Sequence, residues 1–545
     1  MHIQKVHIVG LRCFKDITIE FNKDKNIIVG DNGTGKSTIL DAIHMCLRGQ
    51  HRGQPINNSL SPFLFNKDNV KTYLDACQTG GGHFGLLPQI TIEVFLSGNS
   101  DDDTMLAFLE GNYNINKEDG CSGIRLDIMF NDEFRDEYEA LSRNSKEVKS
   151  IPIEYYYCVR QTFARSQITY RSIPIRSQLI DTSAIVNHRG TTDLYLNRMI
   201  NDRLDVKDRV ALSGAFRQMK EDFASNKALD EIVEKINTAE DELSLAIDPS
   251  VSTNWESLLI AKVSDVPFHY IGKGDQCMTK THLVLDSRNK EACVLLLEEP
   301  ENHLSYGRLH KFISQIERKN ATSQIIMTTH SSMVCNKLDL GNLILLGRNE
   351  TPAYFKRLDE DTRKFFQKVS GFDTLRVVLS PRSILVEGPS DDLILQKAYY
   401  LAYEHMPIED GVDIISVSGL SFKRYASIVQ CINNKVAIVT DNDGIAEKKE
   451  IRYEKYRNNN MKLFFSPNNS LKTLEPQIVE ANKSNLSVLT HILGISEDDK
   501  ITEDYLVDYM QKHKTDSALA IFETDEKVNM PEYIEEAIRW IKTDS

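Results

Sequence analysis

Ile17, Ile19 and Phe21 alternate with polar residues, the two-residue period of a half-buried strand. Residues 26–29 form a short apolar run ending at Gly30, which predicts a buried strand entering a turn. Ile39, Ala42, Ile43, Cys46 and Leu47 then recur at helical spacing. Residues 30–37 therefore join a strand to a helix. Residues 50–87 and 98–122 are rich in Asn, Gly, Ser and Asp and predict loops, with a strand between them at 90–96 and another at 151–159. From about 190 to 247 the pattern is helical and highly charged, without a long heptad repeat. Apolar runs at 293–297, 324–328 and 342–346 alternate with helix-like stretches, the signature of an α/β fold. A second cycle starts near 382, with strands at 383–386, 414–417 and 436–440 and helices at 391–404 and 421–432. The pattern divides the chain near residue 378, into 1–378 and 379–545.

At 545 residues the chain is too long for one ordinary domain. It is 41% hydrophobic and 26% charged, the balance of a soluble globular protein. No run of eighteen apolar residues predicts a membrane span, and the N-terminus lacks the apolar block of a secretory signal. Nine cysteines without a CxxC pair argue against a disulfide scaffold or zinc ribbon and point to a reducing cytoplasm. The net charge of −14 disfavours non-specific nucleic-acid binding. It leaves room for local basic patches and for acidic clusters that bind metal.

GDNGTGKS at 30–37 has the spacing of a P-loop. Its glycines let backbone N–H groups wrap phosphates, Lys36 reaches the β- and γ-phosphates, and Ser37 holds magnesium. Asn32, Gly33, Gly35, Lys36, Ser37 and Thr38 are the expected contacts to ATP. In VLLLEEPENHLS, apolar residues lead to Glu298 and Glu299, and carboxylates ending a buried strand are costly unless they meet a metal or water. Glu298 is the expected magnesium ligand, and Glu299 the group that orients or deprotonates the attacking water. His330, ending QIIMTTH, is placed to contact the γ-phosphate, and the glycine-rich run 272–276, with Gly274 at its centre, is a second phosphate contact.

In this order, these motifs resemble the ATP-binding-cassette ATPases of DNA maintenance, the structural-maintenance-of-chromosomes (SMC) and RecF-like group. The N-terminal IVGLRCF…ITIEF stretch matches the β-hairpin that precedes the P-loop in that group. The resemblance implies an ATPase head with a helical dimerisation insertion at about 185–260. It also implies a homodimer or higher homo-oligomer with two nucleotides sandwiched between heads, Gly272 to Gln276 acting in trans, and Gln89 or Gln161 as the coupling glutamine. The chain departs from the pattern in having KGDQ for the fuller serine-containing signature and Glu298 for the commoner Asp.

In SILVEGPSDDLIL, Glu387 ends a strand, a glycine permits a tight turn, and Asp391 opens a helix. Some fifty residues on, strand VAIVT ends in Asp441-Asn442-Asp443-Gly444. Adjacent parallel strands would bring Glu387 beside Asp441 and Asp443, a hard-oxygen site suited to Mg²⁺ or Mn²⁺. This resembles a Toprim domain, a Rossmann-like module, and ATPase followed by Toprim resembles the OLD (overcoming lysogenization defect) family. That family includes ATPase–nucleases of antiphage systems such as Gabija and some retrons. The resemblance implies that Glu475 is a late metal ligand and Lys514 a basic group near the scissile phosphate. It implies one metal on Glu387, Asp441 and Asp443, and a second helped by Asp391 and Glu475.

Residues 155–180 contain no acidic side chain, but carry Arg160, Arg165, Arg171 and Arg176 among Tyr155, Tyr156, Tyr157 and Tyr170, a composition suited to strand binding. A second basic stretch, 448–457, follows the Asp-x-Asp turn. The leading expectation is an ATP-regulated, metal-dependent DNA endonuclease of antiphage defence. Its partners would be DNA and a defence-system component such as a helicase, reverse transcriptase or structured RNA. The alternative is an ATP-switched DNA clamp or sensor with a non-cleaving Toprim site. A topoisomerase- or primase-like enzyme is a third reading, weakened by the lack of a breakage motif.

Overall fold

The computed structural model describes residues 1–51, 54–78, 84–99, 102–142, 149–168, 173, 175–181, 204–228, 231–232, 262–285, 292–319, 323–347, 351–369, 373–417, 422–454, 456, 459–495 and 501–543. The chain forms two compact units, one of residues 1–16 and 37–328 and one of residues 17–36 and 329–545.

In the first unit, strands His2–Leu11, Ile90–Ser97, Cys121–Phe130 and Tyr156–Thr162 pair antiparallel in that order. A second group, Ile175–Asp181, Ala292–Glu298 and Ser323–Thr328, pairs parallel, so Asp181, Glu298 and Thr328 end level with one another. Val294 to Leu297 are fully buried, as expected of a strand covered on both faces. The buried Gln324 amide joins the two groups, accepting from the Ile3 N–H and donating to the Ile3 carbonyl, both at 2.8 Å. Helix Lys36–Arg48 buries Ile39, Ala42, Ile43, Cys46 and Leu47, the face that the spacing predicts.

The expected loop at 50–87 instead contains helix Lys67–Gln78, because Tyr73 and Cys77, one turn apart, supply a buried face. Likewise, the expected loop at 98–122 contains the short helix Asp103–Ala107 and the start of strand Cys121–Phe130. Within the expected insertion, helix Val206–Ala224 opens on a reciprocal Asp205–Asp208 capping box, while most of 185–260 lies outside the described residues.

In the second unit, strand Lys25–Gly30 pairs parallel with Leu343–Leu346, which pairs antiparallel with Pro352–Tyr354. Helix Thr374–Leu379 leads into a four-stranded parallel sheet, ordered Val412–Ser416, Arg382–Val386, Lys435–Val439, Met461–Phe464. Helix Pro389–Tyr403 and the C-terminal helix Glu532–Lys542 pack on this sheet, with Ile384, Val386, Ala437, Val439, Ile394 and Ile538 in its core. Because Arg382–Val386 and Lys435–Val439 are neighbours and parallel, their C-terminal ends project side chains from one edge.

Candidate nucleotide and metal sites

The P-loop has the backbone its glycines require. Gly33 and Gly35 take φ of 80° and 94°, a region that side chains disfavour. A Cβ on Gly30 would lie 2.7 Å from the Thr34 hydroxyl and 2.8 Å from the Leu346 carbonyl. Lys36 is buried, its ammonium donating to the Gly30 and Asp31 carbonyls, both at 2.9 Å. Asn32 and Ser37 are exposed, while Thr38 is buried in the first helical turn.

Glu298 ends its strand half-buried, and Glu299 follows with φ of 41°. A left-handed residue other than glycine is strained, and here the turn is held from several sides. The Glu299 N–H donates to the Thr328 carbonyl at 3.1 Å, and the Asn302 amide donates to the Glu299 carboxylate at 2.8 Å. The run 272–276 opens helix Lys273–Leu285. Gly274 is required there, since a Cβ would lie 2.5 Å from the His303 carbonyl in the loop after the two glutamates. His330 is exposed just beyond strand Ser323–Thr328.

Of the expected strand-binding residues at 155–180, Tyr157 and Arg165 are exposed, Tyr156 is buried, and Tyr155, Arg160 and Arg176 are half-buried. Arg160 donates to the Cys46 and Leu47 carbonyls, both at 3.2 Å, and so caps the C-terminus of helix Lys36–Arg48. Tyr156 is buried edge-on to Phe65 at 5.2 Å, and Tyr155 packs on Phe134 at 5.7 Å. Arg165 is exposed, stacked over Tyr113 at 4.8 Å. Tyr170 and Arg171 lie outside the described residues.

At the C-terminal edge of the parallel sheet, the main chain after Val439 closes on Glu387. The Thr440 hydroxyl donates to a Glu387 oxygen, and the Asp441 N–H donates to the same oxygen at 3.3 Å. Asp391 caps its own helix, accepting from the Gly388 N–H at 3.0 Å. Glu475 is buried, accepting from Thr473 at 2.7 Å and paired with Lys514 at 3.4 Å. Asn442 is fully buried and pins the Asp-x-Asp turn. Its amide donates to the Ser466, Asn468 and Leu471 carbonyls at 2.9, 2.8 and 3.2 Å, and its oxygen accepts from the Gly444 N–H at 2.8 Å.

Burial and mutual charge raise the Asp441 and Asp391 carboxyl groups of this edge. Burial, then the charges of Asp391, Glu387 and Glu475, push Asp441 up to about 8. Burial and Glu387 push Asp391 up to about 6. Tyr533 is raised well above the ordinary phenol range by burial and then by Asp441, Asp391, Glu387 and Glu475. It stays a neutral phenol, unsuited to act as a phenolate nucleophile. The Asp443 side chain is 57% exposed and turned to Lys449 at 2.8 Å. Sequence reasoning missed three groups at this edge, namely Thr440, Tyr533 and Lys449, the last expected only as part of a basic stretch.

Among the described residues, no three His, Cys, Asp or Glu side chains stand ready-grouped to hold a metal ion. The donor set nevertheless fits a hard divalent cation. It is all oxygen, it carries mutually repelling charge, and Asp441 Oδ1 is buried without a hydrogen-bond partner. Glu387, Asp391, Asp441 and Glu475 could hold such an ion after side-chain rotation.

Residues 5–248 match the family described as an AAA domain, and residues 283–336 one described as an AAA domain, putative AbiEii toxin, Type IV TA system. Residues 379–443 match the family described as overcoming lysogenization defect protein-like, TOPRIM domain. The chain is similar to the DNA replication and repair protein RecF of Clostridium kluyveri, at 35% identity over 74 residues, covering 14% of this chain and 19% of that protein. It is similar to RecF of Clostridium botulinum strain Langeland, at 24% identity over 223 residues, covering 40% of this chain and 52% of that protein. It thus spans from about a fifth to about half of these curated relatives. Among solved structures, it resembles the C-terminal region of the Burkholderia pseudomallei OLD protein, with 19% identity, a TM-score of 0.25, and coverage of 30% of this chain and 97% of that one. It also resembles the SMC head domain from Thermotoga maritima, with 12% identity, a TM-score of 0.25, and coverage of 63% and 94%. The chain joins an ABC-type ATPase head of the SMC and RecF kind to a C-terminal Toprim domain in a mixed α/β fold. Among the described residues, no helix is long and apolar enough to cross a membrane.

Proposed function

We propose that this protein is an ATP-regulated, divalent-metal-dependent DNA endonuclease of the OLD family that acts in antiphage defence, of the kind found in Gabija and retron systems. The observation that carries the nuclease reading is the carboxylate edge. Glu387, Asp391, Asp441 and Glu475 repel one another, and a buried oxygen of Asp441 has no partner. A fold does not maintain such an edge for stability alone; a bound cation makes it favourable. Mg²⁺ or Mn²⁺ there would activate water and stabilise the leaving oxygen of a phosphodiester. Lys514, held beside Glu475, offsets charge on the phosphate. Asn442 and Thr440 hold the ligand turn and Glu387 in place. Residues 30–38 bind ATP, Glu298 attends its magnesium, Glu299 orients water, and His330 and Gly274 contribute to the nucleotide site. The ATPase heads would pair as a homodimer, with DNA as the substrate.

One observation favours a clamp or sensor that does not cut. Lys449 already places a cation at the carboxylate edge. A plasmid assay separates the two readings. Supercoiled DNA is incubated with Mg²⁺ or Mn²⁺, with and without ATP, beside Asp441→Ala and Lys36→Ala. Metal-dependent cutting that disappears in Asp441→Ala supports the nuclease, and Lys36→Ala should abolish the effect of ATP. A wild-type protein that never cuts, with any nucleotide or native partner, leaves the clamp.

A further inference from the structure

Lys449 sits on helix Ala446–Glu454, just after the Asp-x-Asp turn, and its side chain is buried. An ammonium has three N–H donors, and here each has an acceptor. They are Thr440 Oγ1 at 3.1 Å, the Asp441 main-chain carbonyl, and Asp443 Oδ2 at 2.8 Å. Glu387 Oε1 lies 3.9 Å away. Two of the three acceptors are neutral oxygens of the turn, so the ammonium is fixed by the fold as well as by charge. With its donors committed, it has none to offer a substrate phosphate. Its donation to Thr440 Oγ1 also directs the Thr440 proton to Glu387, which orients that carboxylate. Asp443 reaches Lys449 from a left-handed residue, at φ of 52°. The Asp441 side chain keeps a buried oxygen that Lys449 does not touch.

We propose that Lys449 is a positioning residue that supplies a fixed internal cation to the carboxylate edge. It takes Asp443 out of the metal's ligand set and leaves Glu387, Asp391, Asp441 and Glu475 to hold the divalent ion. This rests on the metal reading above and goes beyond it by assigning the two Asp residues of the turn different roles. It explains how the edge folds without a divalent ion, since one positive charge is built in. The same charge opposes metal entry, so the site trades metal affinity for an edge that folds without the ion.

The test is Mn²⁺ binding to the full-length, nucleotide-free protein, read from the electron paramagnetic resonance signal of free Mn²⁺. Asp441→Asn should weaken binding by at least about tenfold, while Asp443→Asn should change it by less than about threefold. Lys449→Met should tighten binding on the order of tenfold, because a like charge is removed from beside the ion, and Lys449→Arg should leave it near wild type. A purely structural lysine would give the opposite result, with weaker binding in Lys449→Met. Circular dichroism checks that each variant is folded; if Lys449→Met is not, the exposed Asp443→Asn decides alone. Loss of Mn²⁺ in Asp443→Asn equal to that in Asp441→Asn overturns the assignment, as does a folded Lys449→Met that binds no tighter. A wild-type protein that binds no Mn²⁺ overturns the metal reading itself, and this inference with it.

Discussion

Replacing Asp441 by Asn should stabilise the protein at high pH when divalent ions are chelated. Burial and the charges of Asp391, Glu387 and Glu475 move the Asp441 carboxyl from an ordinary 3.8 to about 8. A carboxyl with a raised folded-state pKa binds its proton more tightly when folded. Its stabilising share is therefore complete below about pH 4 and is lost as pH rises through about 8. At about 1.4 kcal/mol per tenfold change in proton affinity, the ceiling is roughly 6 kcal/mol. Neighbouring carboxylates share that cost and the edge relaxes toward solvent, so about 2–3 kcal/mol is expected for this residue. For a cooperative unit of this size that is a rise of about 4–10 °C in melting temperature. The assay is thermal unfolding by circular dichroism in EDTA at pH 6 and pH 9. Wild type should lose stability between the two, and Asp441→Asn should lose less and melt higher at pH 9. Added Mn²⁺ should reverse the order, because only wild type keeps the full ligand set. If Asp441→Asn melts at or below wild type at pH 9 in EDTA, the carboxylates do not oppose one another, and the argument for a cation at this edge falls.

Arg160→Met should cost about 3–6 kcal/mol, from two hydrogen bonds of a charged donor to the Cys46 and Leu47 carbonyls, and leave DNA affinity unchanged at matched salt. Urea unfolding and a salt titration of DNA binding check it; weaker DNA binding with unchanged stability would restore this arginine to the DNA surface. Asn442→Ala removes four hydrogen bonds from a fully buried side chain and should destabilise by about 3–4 kcal/mol, with Mn²⁺ binding reduced because the turn loosens. Equal melting temperatures for this variant and wild type would show that Asn442 does not pin the turn. Gly274→Ala brings a Cβ within 2.5 Å of the His303 carbonyl and should cost about 1–3 kcal/mol, measured by thermal unfolding, as helix and loop separate.

Much of the fold is legible because parallel strands buried on both faces read as unbroken apolar runs, and motif residues stand at their ends. Strand Ala292–Glu298 and three of the four strands of the Toprim sheet coincide with such runs. Charged residues were harder, because composition says nothing about which face they occupy. Arg160 looked like a phosphate contact by its arginine- and tyrosine-rich setting. Yet Tyr156, Cys158, Arg160 and Thr162 share one face of a strand, and buried Tyr156 marks that face as inward. Lys449 looked like part of a basic stretch. Ala446, Lys449 and Tyr453, spaced three and four apart on one helix face, carry the signal that it turns toward the sheet. Tyr533 carries no such signal: it comes under the charge of the carboxylates only through the packing of the C-terminal helix against the sheet.

These cases bear on why the edge has its composition. Repelling carboxylates alone would spread or take up protons, and a lysine with free donors would bind a phosphate or escape to solvent. The Asp-x-Asp turn avoids both outcomes by dividing its two acids. Asp443 and the turn's own oxygens commit the lysine, while Asp441 keeps a buried oxygen without a hydrogen-bond partner. Asn442 between them is consumed by four hydrogen bonds and can serve neither role. A charged edge held in this way meets the cost of burying its charges during folding, and leaves the ligand side chains to rotate onto the metal when it arrives.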